Sequence, residues 1–215
     1  YYYYNIKHAN ADWTASELFK SEYINGFDDV RIRNMSNSSA TLQSYTHYAL
    51  TIPNRDTEII SSGNYVLAIF NQKQELIFTK RFVVYEQQAN VKVGIFRLRD
   101  LDRIDSKQRI EIGVQTANIN TRQPDQEISV WALQNYRWAS TRKIPKYDYM
   151  MNQNLRFEYD NNLIFEGGNE YLFFNTKDIR SASGNVAYIR REKLYQSILY
   201  PNFIRNGNVY TYAPD

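Results

Sequence analysis

Cysteine is absent from this sequence of 215 residues, which excludes disulfide bonds and thiol chemistry. Glycine and proline are scarce, at 8 and 5 residues, so the chain is neither collagen-like nor of low complexity. No apolar run approaches the roughly 20 residues that a membrane-spanning helix needs, and we expect no lipid insertion. The net charge of +3 is spread along the chain in alternating signs, without the basic block typical of nucleic-acid binding, so we expect no nucleic-acid partner.

Residues that commonly carry catalysis are also few. The sequence has no glycine-rich phosphate loop and no Gly-x-Ser-x-Gly elbow, and no serine is evident as the nucleophile of a hydrolytic triad, so we assign no catalytic residue and no cofactor site. The two histidines, His8 and His47, lie on strands that could pair, and together with a carboxylate such as Asp12 they would form a zinc site of the kind that metal-dependent hydrolases use. No zinc-binding spacing is present, so a structural role is the preferred alternative for both histidines. The carboxylates of Asp12, Glu22 and 28–29 do not follow the spacing of a calcium loop, and we expect them to cap loops.

The composition favours β-structure. Aromatic residues make up 15% of the chain, with 19 tyrosines and 11 phenylalanines. Alternating apolar and polar residues, or short apolar runs between turn residues, predict strands over 1–7, 45–52, 65–70, 76–85, 91–96, 110–114, 128–133, 155–159, 171–174, 186–189 and 194–199. Short strands at this density predict an all-β fold of the sandwich type.

A polar segment, EQQAN at 86–90, divides these strands into two groups. We therefore predict two tandem immunoglobulin-like or fibronectin-like β-sandwich domains, over 1–86 and 90–215. A short repeat supports the division, because SGNYVLAIF (62–70) and GGNEYLFFN (167–175) both place a tyrosine at the start of an apolar strand. In immunoglobulin-like folds a tyrosine at such a corner ties its strand to the preceding loop.

The long connection over 9–44 has little strand periodicity. A helical turn near 14–19, capped by Thr14 or Ser16, is the one regular element that we expect within it. Loops of this length are uncommon inside compact domains. Because this one carries several apolar side chains, we predict that it folds back onto the sheet of the first domain.

Three aromatic residues of this connection, Trp13, Tyr23 and Phe27, are our predicted partner-binding residues. Large aromatic side chains are enriched at the centres of protein interfaces. The alternative for each of them is a structural role in closing one end of the sandwich. Aromatic loops also stack on sugars, so a periplasmic or surface carbohydrate-binding module is the alternative function.

Six motifs follow one another along the chain. They are YYYYNIKHANADW (1–13), SEYINGFDD (21–29), YTHYALTIPN (45–54), SGNYVLAIF (62–70), WALQNYRW (131–138) and FEGGNEYLFFNTKDIR (165–180). In content and order they resemble the type 9 secretion system plug proteins of Bacteroidota, with HANADW and YTHY as the most specific elements. Members of that family usually carry cysteine at the position of Ala9.

The resemblance implies an exported periplasmic protein of immunoglobulin-like sandwiches, associated with the outer membrane and without enzymatic activity. Plug proteins bind the periplasmic opening of the outer-membrane translocon barrel and close it while no substrate is passing. The barrel is therefore the expected partner, and we expect a monomer when the protein is free. Family members are longer at both ends, so we expect this chain to lack its signal peptide, the earliest strands of the first domain and the last strands of the second.

Overall fold

A computed structural model describes residues 1–167 and 173–201. The chain divides into two compact units, Tyr1–Gln87 and Gln88–Asp215. In each unit the described regular structure is almost entirely antiparallel β-sheet, and each helix is about one turn long. The predicted all-β fold is therefore confirmed, while the division into two sandwich domains stays a prediction.

The first unit is built around one four-stranded sheet. Its elements are β1 (Tyr2–Ala9), α1 (Lys20–Tyr23), β2 (Ile24–Gly26), β3 (Val30–Arg31), β4 (Asn34–Asn37), β5 (Thr46–Ala49), β6 (Thr57–Ile59), β7 (Gly63–Asn71) and β8 (Leu76–Val84). The main sheet has the order β3-β1-β7-β8, and β2 pairs with β6 while β4 pairs with β5. The strands predicted over 1–7, 65–70 and 76–85 are confirmed as β1, β7 and β8.

Strand β1 defines the two faces of the main sheet. Tyr4 and Ile6 point into the core, whereas Tyr3, Asn5 and Lys7 point to the opposite face, which we call the outer face. The core comprises Tyr4, Ile6, Tyr23, Ile24, Val30, Ile32, Tyr65 and Ile69. Its members come from β1, β7 and the 9–44 connection, so this connection forms part of the domain core.

Tyr65 connects β7 to the loop before it. Its side chain is 0% exposed, and its hydroxyl donates a hydrogen bond to the carbonyl of Ser61 at 2.6 Å. The ring stacks on Phe82 with a centroid separation of 5.4 Å. The predicted role of this tyrosine is confirmed, whereas its counterpart Tyr171 lies outside the described residues.

The 9–44 connection is more regular than its sequence predicts. It contains α1, β2, β3 and β4, each of only two to four residues. Elements this short cannot display a hydrophobic period, which explains why the pattern did not indicate them. The prediction that the segment folds back onto the sheet is confirmed, because β3 pairs with β1 and buries Val30.

The helical turn predicted near 14–19 is wrong. The helix begins at Lys20, and the Glu22 carboxylate accepts a hydrogen bond from the backbone N–H of Phe19 at 2.7 Å. This contact satisfies one of the free N–H groups at the start of the helix, so Glu22 determines its position rather than Thr14 or Ser16.

The second unit is organised around β10. Its described elements are β9 (Asn90–Arg97), β10 (Lys107–Gln115), α2 (Pro124–Glu127), β11 (Val130–Ala132), β12 (Arg142–Ile144), β13 (Tyr149–Met151), β14 (Asn154–Phe157), β15 (Ile164–Glu166), β16 (Val186–Arg191) and β17 (Tyr195–Leu199), with single 3₁₀ turns at Trp138–Ser140 and Asn161–Leu163. One sheet has the order β13-β14-β10-β15 with β9 also paired to β10, while β11 pairs with β12 and β16 with β17. The core comprises Ile112, Val114, Ala132, Ile144, Leu155, Phe157, Leu163 and Phe165. The strand predicted over 171–174 lies partly outside the described residues.

Candidate interaction surface

The turn that carries Trp13 is held in place by a network of hydrogen bonds. The backbone N–H of Trp13 donates to the Asn10 carbonyl at 2.9 Å, and Asp12 Oδ1 accepts from the N–H and the hydroxyl of Thr14 at 3.0 and 2.6 Å. Asn64 Nδ2 on β7 donates to the Asn10 carbonyl at 3.0 Å and so anchors the turn to the main sheet. The expectation that Asp12 caps a loop is confirmed.

Trp13 adopts a left-handed backbone conformation, with φ of 70°. This conformation costs a non-glycine residue roughly 1–2 kcal/mol. The indole is half-exposed, and the guanidinium of Arg81 lies 4.8 Å from its ring centroid. Arg81 belongs to the outer face of the main sheet, so the network holds the indole at the border of that face.

Tyr23 lies in the core. It is 9% exposed, and its ring centroid is 6.1 Å from that of Tyr65 and 5.6 Å from that of His8. Burial, and to a smaller extent the presence of Tyr23, raises the pKa of the Tyr65 phenol. Of the three predicted partner-binding residues, Tyr23 is therefore the one whose ring packs inside the domain.

Phe27 follows β2 and is 77% exposed. Its backbone N–H donates to the Asp56 carbonyl at 3.3 Å, next to β6. The preceding Gly26 has φ of 150° and approaches the Asp56 carbonyl so closely that a side chain would clash there. The phenyl ring of Phe27 therefore follows the end of β2, in the two-stranded β2–β6 sheet. Trp13 instead lies at the border of the main sheet.

The two histidines lie in different sheets. His8 is in β1, which pairs with β3 and β7, whereas His47 is in β5, which pairs with β4. The sequence had suggested that their strands could pair, and this is wrong because β5 joins a separate two-stranded ribbon. The His8 ring packs edge-on against Tyr65, with centroids 5.2 Å apart. Within residues 1–167 and 173–201, no group of three or more His, Asp or Glu side chains could hold a metal ion.

A polar hollow of about 520 Å³ opens at the start of β1. It is lined by Tyr1, Tyr2, Thr46, Tyr48, Asn71, Gln72, Lys73 and Glu75. The rings of Tyr2 and Tyr48 meet edge to face, with centroids 5.0 Å apart. The lining residues come from three separate segments, so no local sequence pattern indicates the hollow; the tyrosine run at the start of the chain is the one signal that points to it.

In the part of the chain that the structure describes, no helix has the length and apolar character required to cross a bilayer. The fold and these surfaces define the first unit as an antiparallel β-domain with aromatic side chains displayed at its edges. Residues 1–86 match the family described as the type 9 secretion system plug protein first domain. The resemblance predicted from the motifs is thereby confirmed.

A solved structure with the same fold extends beyond this match. It is the crystal structure of a hypothetical protein from Parabacteroides merdae, which superimposes with a TM-score of 0.88 at 29% sequence identity. The alignment covers 100% of this chain and 55% of the other, so the chain spans about half the length of that protein. No curated protein sequence matches the chain significantly.

Proposed function

We propose that the protein is a non-enzymatic periplasmic accessory of the type 9 secretion system. In this role it binds the outer-membrane translocon barrel and occludes the pore while no substrate is passing. The observation that carries the proposal is the match of residues 1–86 to the first domain of plug proteins. A free monomer, resident at the periplasmic side of the outer membrane, is the form that such a role requires.

The fold is compatible with occlusion. Its main sheet is an antiparallel body with a packed aromatic core, and packed cores resist deformation. Even the 9–44 connection is pinned to that core through β3 and the Trp13 turn. A body of this kind keeps its shape at a pore mouth, and its exposed loops and faces are available to contact the rim.

Affinity recovery tests the partner. The full chain, tagged and added to a detergent extract of native outer membranes, is expected to recover the translocon barrel. Retention on a glycan column without recovery of the barrel would contradict the proposal.

Conductance tests occlusion. The purified barrel in a planar bilayer is expected to lose most of its ion current when the full chain is added on the periplasmic side, and to regain it on washing. Binding without any change in current would leave an accessory role but refute the plug.

The polar hollow favours carbohydrate binding as the second candidate function. Sugar sites combine aromatic faces with hydrogen-bonding side chains, and Tyr1, Tyr48, Asn71 and Glu75 supply both around the hollow. Glycan-array binding that is lost in Tyr48→Ala would support this function. Absence of binding to any periplasmic or surface glycan would remove it.

A further inference from the structure

The strand register arranges the outer face of the main sheet into three rows of side chains. In the first row Arg31, Tyr3 and Phe70 lie side by side across β3, β1 and β7. The pairing of β7 with β8 sets Leu76 beside Phe70 past a bulge, which extends the row to the sheet edge. This row is therefore aromatic and apolar, with a cation at one end.

The second and third rows differ in size and charge. Asn5, Ala68 and Thr79 form the middle row, and Lys7, Val66 and Arg81 form the third. Rows two residues apart along a strand are separated by about 7 Å, so the first and third rows flank a shallow trough about 14 Å wide. The small side chains of the middle row form the floor of this trough.

The trough has charge of one sign only. The outward positions of the four strands are Tyr3, Asn5, Lys7, Ala9, Arg31, Asn64, Val66, Ala68, Phe70, Leu76, Thr79, Arg81 and Val83, and they include three cations and no carboxylate. Lys7, Arg31 and Arg81 are exposed, and across residues 1–167 and 173–201 none of the three forms an ion pair. On the neighbouring loops, the carboxylates of Asp12 and Glu75 already accept hydrogen bonds from Thr14 and Asn71.

The two arginines are held in position by aromatic rings. The guanidinium of Arg31 lies 3.5 Å from the Tyr1 ring centroid, and that of Arg81 lies 4.8 Å from the Trp13 ring centroid. A cation stacked on a ring keeps its hydrogen-bonding groups available to a carboxylate. Because stacking already restricts the arginine side chain, less conformational entropy is lost when a carboxylate binds.

We infer that this outer face is the docking surface for an acidic segment of a secretion-system protein, with carboxylates on Arg31 and Arg81 and apolar side chains on Tyr3 and Phe70. The inference rests on the proposed function for the identity of the partner, whereas the chemistry of the segment follows from the face itself. It also gives Trp13 a defined task, which is to position Arg81 at the border of the trough.

The absence of cysteine allows a site-specific test in the full chain. Thr79→Cys places a thiol on the trough floor, where a benzophenone maleimide can be attached. Lys80→Cys is the matched control, since its side chain is also exposed but belongs to the core-side face of the same strand. Each labelled protein is irradiated in a native outer-membrane extract, and the cross-linked peptide is sequenced by mass spectrometry.

The charge dependence is tested in the Thr79→Cys protein. Adding Arg81→Glu is expected to reduce the adduct about tenfold, because like charges repel across the interface. Adding Lys80→Glu changes the net charge equally, on the other face, and is expected to leave the adduct unchanged. Circular dichroism of each variant verifies that it is folded.

The outcomes separate the inference from the proposed function. A net-acidic peptide of the translocon barrel, cross-linked at position 79 and lost with Arg81→Glu, supports both. A net-acidic peptide of another protein with the same charge dependence supports the docking surface and contradicts the plug. If the barrel is cross-linked at position 80 but not at position 79, the proposed plug function is supported and the proposed docking surface is wrong. Four other results would overturn the inference. They are no more adduct at position 79 than at position 80, a cross-linked peptide without net negative charge, a cross-link to a second copy of this chain, and equal amounts of adduct with and without Arg81→Glu.

Discussion

Replacing Tyr65 with phenylalanine removes the hydroxyl that binds the Ser61 carbonyl at 2.6 Å and keeps the ring contacts with His8, Tyr23 and Phe82. The ring is 0% exposed, so water does not take the place of the hydroxyl. A buried acceptor that loses its donor costs about 1–3 kcal/mol. Ser61 as a residue is half-exposed, so we expect a loss in the lower part of that range, about 1–2 kcal/mol.

The same hydroxyl makes this stability difference depend on pH. Burial raises the pKa of Tyr65 above its ordinary value of 10.0, because the folded domain favours the neutral phenol. Below pH 10 this preference contributes its full stabilisation to the folded domain. The domain loses that stabilisation as the pH rises through the raised pKa of Tyr65. Tyr65→Phe has no phenol to ionise, so the free energies of unfolding of the two proteins should converge above pH 10.

Urea denaturation measured by hydrogen exchange is the suitable assay, because peptides from β1 and β7 report on the first unit alone. Tyr85→Phe is the control, since that side chain is 79% exposed and its hydroxyl should contribute less than about 0.5 kcal/mol. If Tyr65→Phe costs no more than Tyr85→Phe, the Tyr65 hydroxyl does not stabilise the domain. If the difference from wild type stays constant through alkaline pH, the folded domain does not favour the neutral phenol.

Three further substitutions test other contacts. Gly63→Ala should destabilise the first unit by about 1–3 kcal/mol, because φ is 146° and a Cβ would clash with the His8 imidazole; unchanged urea denaturation would contradict this. Leu155→Ala should destabilise the second unit by about 2–5 kcal/mol, since Leu155 is 0% exposed, and faster exchange in β10 rather than β1 is the expected readout. Arg97→Ala should change stability by less than about 1 kcal/mol, because both side chains of its 2.6 Å ion pair with Asp105 are 70% exposed; a larger loss would imply a contact beyond this pair.

The long strands were predictable from the sequence because alternation requires several residues to become visible. Strands β1, β7, β8 and β10 each have eight or nine residues, and all four were predicted. Strands β2, β3, β12 and β13 have only two or three residues and were not. Runs of two or three residues are too short to display alternation, and β2 and β3 also depend on pairing with distant segments, β6 and β1, which no local pattern reveals.

The candidate surface was less predictable for a different reason. An aromatic side chain in a loop is equally suited to a core and to an interface, and sequence does not distinguish Tyr23 in the core from Phe27 in solvent. The outer face was missed because Arg31, Lys7 and Arg81 come from three separate segments. Only the strand register brings their charges together.

Trp13 is the residue at which structural and interface roles can be separated. Trp13→Gly relieves a left-handed conformation that costs roughly 1–2 kcal/mol and removes a cation–π contact worth about 0.5–1 kcal/mol, together with the packing of a half-exposed indole. These contributions oppose one another, so we expect the free energy of unfolding to change by less than about 1 kcal/mol, measured by urea denaturation. The adduct formed from Thr79→Cys should nevertheless decrease, because Arg81 loses the ring that positions it. A loss of stability of about 3–5 kcal/mol, as for a large core side chain, would instead make Trp13 a structural residue and remove it from the docking surface.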